Sequence, residues 1–222
     1  MNKKIYLFLY VVLMILNMLD SIHLISIKVI TKPLLMTILM IYVYHYKREN
    51  KNLNLLITAL LFALLGDIFL IHLDIMSFFI LGLGSFLVVH ICYIVLFLKS
   101  FKKINQHCDK LMNLFRIIII LLSLVFYTVM YKYFGSLLIP STLYMIVIMI
   151  MFLSGTFRNK NYHSNNYFSV VLGCTCFLLS DASLTISKFY SHFYLDELLI
   201  ITTYMVAQML IVFGLVTEKV KV

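Results

Sequence analysis

The sequence predicts an all-α fold: a polytopic membrane helical bundle of eight transmembrane helices with both termini cytoplasmic. Three observations carry that expectation. Of the 222 residues 63% are hydrophobic and 12% charged, and the mean hydropathy is +1.03. A soluble domain of this length could not hide so much apolar surface, so the bilayer must serve as its solvent. Long apolar runs recur while Gly (7) and Pro (2) are scarce, which favours helices over alternating barrel strands. Finally, the basic residues collect in short loops that fall on one side of the runs.

Eight runs come near the ~20 residues needed to cross the hydrocarbon core. In the first half they are residues 5–25, 29–46, 55–73 and 75–98, and in the second 114–133, 137–157, 167–189 and 197–217. Polar segments separate them: KRENKNLN after the second, KSFKKINQHCDK after the fourth and RNKNYHSNN after the sixth. Connections on the other side are short, as at Leu73-Asp74, so neighbouring helices pack antiparallel. Lys3 and Lys4 precede the first run as in a signal peptide, but the run is long and lacks a small-residue cleavage motif. It is therefore expected to stay as a helix. One side receives 14 Lys and Arg, the other only Lys28, Lys32, Lys132 and Lys188, which puts both termini in the cytoplasm.

The chain is expected to form one integral-membrane domain, 1–222. The third and seventh runs share the pattern apolar-Leu-Leu-[Gly/Ser]-Asp, so a weak duplication of four helices plus four, 1–110 and 111–222, is one possibility. A net charge of +9 raises nucleic acid as a partner, but loop clustering is the pattern of membrane anchoring, and no nucleic-acid binding is expected. Cys92, Cys108, Cys174 and Cys176 read as small core residues, neither a disulfide framework nor a zinc site.

Asp67, in LLFALLGDIFLI, and Asp181, in CTCFLLSDASLTI, lie deep in apolar runs. Acids at such depth are expensive, and they mark proton, ion or substrate chemistry. Asp67 is ~12 residues into its run and Asp181 ~14 into its own, ~18 and ~21 Å at the rise of a helix. Runs four apart cross in the same direction, so the two acids reach similar depths. Facing each other they would leave one carboxyl protonated and one ionised, a general acid and base in one pocket. The bland alternative is that each bonds to nearby hydroxyls or a lysine and only glues helices together.

Other polar residues divide between the same two readings. Lys32, before Pro33, could neutralise a carboxylate, bind a lipid phosphate or snorkel to the headgroups. His90 and Tyr93 share a face of the fourth run and Tyr204 and Gln208 one of the eighth; with Tyr144 they either line a pocket or join helices. Asp20 and His23, three apart, fit an interfacial hydrogen-bonded pair at least as well as a site. His72, Asp74, His192 and Asp196 flank two corners without metal-ligand spacing, so no metal is expected. GxSxG, HExxH, GxGxxG and phosphate-cradling glycine loops are missing.

Six segments in order resemble the YhhN/TMEM86 family of membrane proteins. They are TKP at Thr31-Lys32-Pro33, LLGDIFL around Asp67, GLGSFLVVHICY from Gly82 to Tyr93, PSTLYMIVIMIM from Pro140, GCTCFLLSDASLTISKF from Gly173 and TYMVAQMLIVFG from Thr203. The resemblance implies a lysoplasmalogenase, a hydrolase that cleaves the vinyl-ether bond of a lysoplasmalogen to a fatty aldehyde and a glycerophospho-alcohol. It implies Asp67 and Asp181 as the catalytic pair, with Lys32, His90, Tyr93, Tyr144, Tyr204 and Gln208 around the substrate. The expected partners are then a lysophospholipid and membrane lipids, and no metal or organic cofactor is needed. The main competing expectation is a proton-coupled transporter or lipid-handling protein built on the same buried acids.

Overall fold

The computed structural model describes residues 3–22, 24–46, 53–99, 110–158 and 164–216, and all the regular structure in them is helical. The helices are α1 (Lys3–Ser21), α2 (Lys28–Tyr46), α3 (Leu53–Phe69), α4 (Met76–Lys99), α5 (Lys110–Met130), α6 (Leu138–Thr156), α7 (Ser164–Phe189) and α8 (Asp196–Val216). With the single 3-10 turns that extend α3, α5 and α6, all eight are long and apolar enough to cross a membrane. By length and composition this is an integral membrane protein. His23, Cys108 and several loop lysines and arginines lie outside the described residues.

The helix ends follow from local polar chemistry. α1 stops at Ser21, short of the apolar Leu24 and Ile25, because Asp20 turns the chain there: its Oδ2 accepts the N–H of Ile27 just before α2. Pro140 is the third residue of α6, where its missing N–H costs nothing to the helix. α5 starts at Lys110, four residues ahead of the apolar run. Its early polar residues have partners: Arg116 donates to Asn113 Oδ1 at 2.5 Å, to Thr156 Oγ1 at 3.0 Å and to Thr156 O at 2.6 Å.

Seven helices close a ring. Around it α1 packs on α2, α2 on α3, α3 on α4, α4 on α6, α6 on α7, α7 on α8 and α8 back on α1, with α2 also touching α8. α5 stands outside, against α6. Polarity is turned inside out relative to a soluble protein. Asn17, Asp67, His90 and Gln208 are buried in the bundle while Phe8, Leu111, Leu122 and Ile139 are exposed on its flank. That is the distribution lipid selects, since apolar side chains lose nothing there and polar ones must find partners within.

The tightest seam joins α7 and α8. A Cβ on Gly173 would lie 3.0 Å from the Ala207 carbonyl oxygen, and one on Gly214 3.1 Å from that of Asn166. Backbone cannot yield as a side chain can, so these glycines set how closely the helices approach. Tyr10 of α1 closes the ring by donating its O–H to Met205 O of α8 at 2.8 Å. Lys3, Tyr6, Tyr42, His45 and Phe213 meet at one end of the bundle. At the other, Phe134 stacks edge-on against Phe189, and Lys188 donates to Leu73 O at 2.7 Å.

Candidate functional site

Both aspartates sit toward the second of these ends. Asp67 is the fifteenth residue of α3 and Asp181 the eighteenth of α7, deeper than the apolar runs alone imply because both helices begin earlier than those runs. Each stands in a small polar cluster supplied by two other helices.

Asp67 is 1% exposed. Tyr204 of α8 donates its O–H to Oδ2 at 2.9 Å, and the same phenol oxygen lies 3.6 Å from Met36 Sδ. Lys32 of α2 brings its ammonium to 3.7 Å from Oδ1, with a side chain 16% exposed. Oδ1 itself has no hydrogen-bond partner among the described residues. Lys32 thus approaches Asp67 without a close hydrogen bond, and one carboxyl oxygen is left to a third group.

Asp181 is held differently. Tyr144 of α6 donates to its Oδ2 at 2.7 Å, while His90 Nε2 lies 2.9 Å from the Tyr144 oxygen and 3.4 Å from Oδ2. With the single Tyr144 proton committed to Asp181, His90 Nε2 must carry the hydrogen in its contact with Tyr144. His90 is fully buried, its ring edge-on to Phe177 with centroids 4.7 Å apart. The Asp181 side chain is 16% exposed, so this carboxyl is the more open of the two.

Asp67, Asp181, Lys32, Tyr144 and Tyr204 all line one partly open cavity. Its walls are otherwise apolar: Phe79, Phe86, Leu83, Phe134 and Ile201 among others, with Ser141, Ser180 and Thr185 adding hydroxyls. Ser180 donates to Ile200 O at 3.0 Å and Thr185 to Asp181 O at 2.7 Å, so their protons are spent on backbone. Ser141 Oγ, buried, has no hydrogen-bond partner among the described residues. A space walled by rings and aliphatics, with two carboxyls and two phenols converging on it, suits an amphiphile with one reactive polar point.

Six of the eight residues singled out in the sequence therefore meet, five on the cavity wall and His90 just behind Tyr144. Tyr93 and Gln208 do not join them. Tyr93 donates its O–H to Gln208 Oε1 at 2.5 Å, both side chains are fully buried, and neither lines the cavity. Between α4 and α8 they act as a hydrogen-bonded strut. Asp20 pairs with backbone before α2, as above. His72 stacks near Phe78, and His192 meets Asp196 Oδ2 at 2.8 Å on an exposed turn. Among the described residues no group of three or more His, Cys, Asp or Glu is placed to hold a metal ion. Ser141 and Phe134 were not legible as wall residues, since nothing in their local sequence distinguishes a cavity face from a helix contact.

A search of curated proteins and a search of solved structures each returned no match. The model of the YhhN family matches residues 27–215, a stretch that runs from the start of α2 almost to the end of α8 and takes in both aspartates. The chain belongs to the YhhN family.

Proposed function

We propose that this protein is a lysoplasmalogenase-like hydrolase that cleaves the vinyl-ether bond of a lysoplasmalogen inside the membrane. The observation that carries the reading is the cavity that Asp67 and Asp181 share, each steadied by a phenol and a basic side chain. Vinyl ethers hydrolyse when an acid protonates the β-carbon. The C=C pair forms the new C–H bond, and the ether oxygen stabilises the resulting oxocarbenium ion. Water then adds to the cationic carbon and loses a proton, and the hemiacetal collapses to a fatty aldehyde and a glycerophospho-alcohol. One carboxyl as donor and one carboxylate as cation stabiliser and base serve these steps, as two carboxyls do in glycoside hydrolysis. No cofactor is called for.

Asp67 is the proton donor in this scheme. Tyr204 occupies its Oδ2, so Oδ1, with no other hydrogen-bond partner, is the oxygen that carries and delivers a proton. Asp181 faces the cation and orients the water, with Tyr144 and His90 holding its Oδ2 in place. Lys32, at the rim, attracts the phosphate of the substrate. The 14-to-4 split of lysine and arginine supports a cytoplasmic position for both termini, and in that orientation the cavity lies toward the opposite face of the membrane.

Purified protein incubated with lysoplasmalogen and, in parallel, with its ester-linked counterpart tests the class. Mass spectrometry is expected to find aldehyde released from the vinyl ether and the ester left intact. Flux of the lipid across liposomes with no aldehyde formed would replace hydrolysis with transport.

A further inference from the structure

Two spaces open from the aspartate cavity in different directions. One is an apolar crevice between α5, α6 and α7. It shares Tyr144, Met145, Asp181 and Thr185 with the cavity, then continues past Ile148, Leu178 and Phe126. The crevice exists because α5 is fastened near its two ends. Arg116 grips Thr156 at one, and Tyr127 meets Thr142 Oγ1 at 3.1 Å at the other. Of α5 only Met112 and Met130 are buried; Ile119 packs in part against the core, while Leu122 and Ser123 stand off from it, and all three wall the gap. It follows α7 from Thr175 to Thr185, about 15 Å at the helical rise. The Thr175 hydroxyl bonds back to Val171 O, leaving a surface that offers a guest almost nothing but carbon.

The other space is polar. Lys32, Leu70, Leu184, Ile200 and Ile201 are common to the cavity and to a mouth that adds Asp74, Lys188, His192 and Glu197. Lys188, fixed by Leu73 O and lying over the Phe79 ring, has further N–H donors to offer there. Two ammonium groups beside two carboxylates complement a zwitterionic headgroup, whose phosphate and ammonium carry the opposite signs.

We propose that these three spaces form one binding track for a single-chain zwitterionic phospholipid. Its aliphatic tail lies in the α5-α6-α7 crevice, its phosphate rests between Lys32 and Lys188, and the chain's first carbons pass the two aspartates. The identity of the bond cut at the centre rests on the hydrolase reading; the seating does not. The crevice, entered beside Asp181 and Ala182 and running along α7 to Thr175, then sets which tail lengths fit.

The test is photolabelling of the full-length protein with a 1-O-alkyl lysophosphatidylcholine carrying a diazirine at the tail end, an ether analogue that resists cleavage. Peptide mass spectrometry is expected to find adducts in residues 119–126 and 175–179. Excess unlabelled alkyl lysophosphatidylcholine should suppress them, and diacyl phosphatidylcholine should not. Ala182→Phe should cut the crevice labelling at least about tenfold, and Lys188→Gln should raise the half-saturating probe concentration about tenfold. A diazirine-tailed 1-O-alkylglycerol, which lacks the phosphate, should be indifferent to Lys188→Gln.

Adducts scattered over the lipid-facing flank, or equal competition by diacyl lipid, would overturn the seating, as would wild-type protein that takes no label. If Ala182→Phe fails to fold, the wild-type label map and the Lys188→Gln shift still decide. Crevice labelling in a protein that releases no aldehyde would refute the hydrolase and keep the track. Aldehyde release with the label elsewhere would do the reverse.

Discussion

Around Asp67 the tyrosine comes from α8 and the basic group from α2; around Asp181 the tyrosine comes from α6 and the basic group from α4. The chemistry repeats, yet the suppliers exchange duties. Following the ring, each aspartate takes one partner from an adjacent helix and one from across it. The adjacent helix gives Asp67 its base (α2) and Asp181 its tyrosine (α6), and the opposite helix gives Asp67 its tyrosine (α8) and Asp181 its base (α4). The basic partners also differ in kind. Lys32 is a long, partly exposed cation with no close hydrogen bond to the carboxyl. His90 is buried, planar and locked through Tyr144. Asp67 is thus sealed against water with one oxygen open, whereas Asp181 stands where the cavity meets the α5 crevice. A sealed acid and a more open carboxylate are what a two-carboxyl hydrolysis requires.

The comparison breaks most sharply at the aspartates themselves. Asp67→Asn keeps the shape and the Tyr204 contact but cannot deliver a proton, and should lower kcat by about 10³-fold. Asp181→Asn removes a cation stabiliser that Tyr144 and water replace in part, and a loss of about 10²-fold is expected. Steady-state aldehyde release measures both; a reversal of the order would exchange the two roles.

The basic partners should differ by about tenfold effects of distinct type. Lys32→Gln is expected to raise KM for phosphate-bearing substrate with little change in kcat, because it acts on the headgroup. His90→Phe should lower kcat with KM nearly unchanged, because it loosens Tyr144 and through it Asp181. Matching KM and kcat changes in the two variants would erase the distinction.

Smaller effects should appear in stability. Tyr144→Phe and Tyr204→Phe each leave a carboxyl oxygen without its donor, a loss of about 1.5–3 kcal/mol read by unfolding in detergent. The glycines separate the two helix pairs further. The atoms nearest to a Cβ at Gly66 belong to the Phe86 ring, at 2.7 Å, while one at Gly173 meets the backbone of α8. Gly173→Ala should therefore destabilise by about 1–3 kcal/mol and Gly66→Ala by less, since a ring can turn aside.

The eight helices were legible because lipid imposes one rule on every span, and long apolar runs between basic loops satisfy only that rule. The ends of the helices were less so. Lys110 looks like a loop residue in the sequence yet begins α5, and the bonds that tie Arg116, charged inside an apolar run, to Thr156 appear only in the structure. Within the site, Asp67, Asp181, Lys32, His90, Tyr144 and Tyr204 stood out as polar letters in apolar text, and they do assemble. Tyr93 and Gln208 stood out equally and pair with each other elsewhere, since cost of burial reveals that a residue needs a partner but not which one. The displacement of α5 from the ring left no mark in the sequence, because α5 is no more apolar than the ring helices α3, α4, α6 and α8.

The central claim is that the two aspartates act in one reaction in one cavity. Aldehyde release from lysoplasmalogen by wild type, Asp67→Asn, Asp181→Asn and the double variant tests it most directly. Groups that act as a unit are strongly non-additive, so the double variant is expected to fall no further than Asp67→Asn alone. Full activity in Asp67→Asn, or losses in the two single variants that multiply in the double, would contradict it.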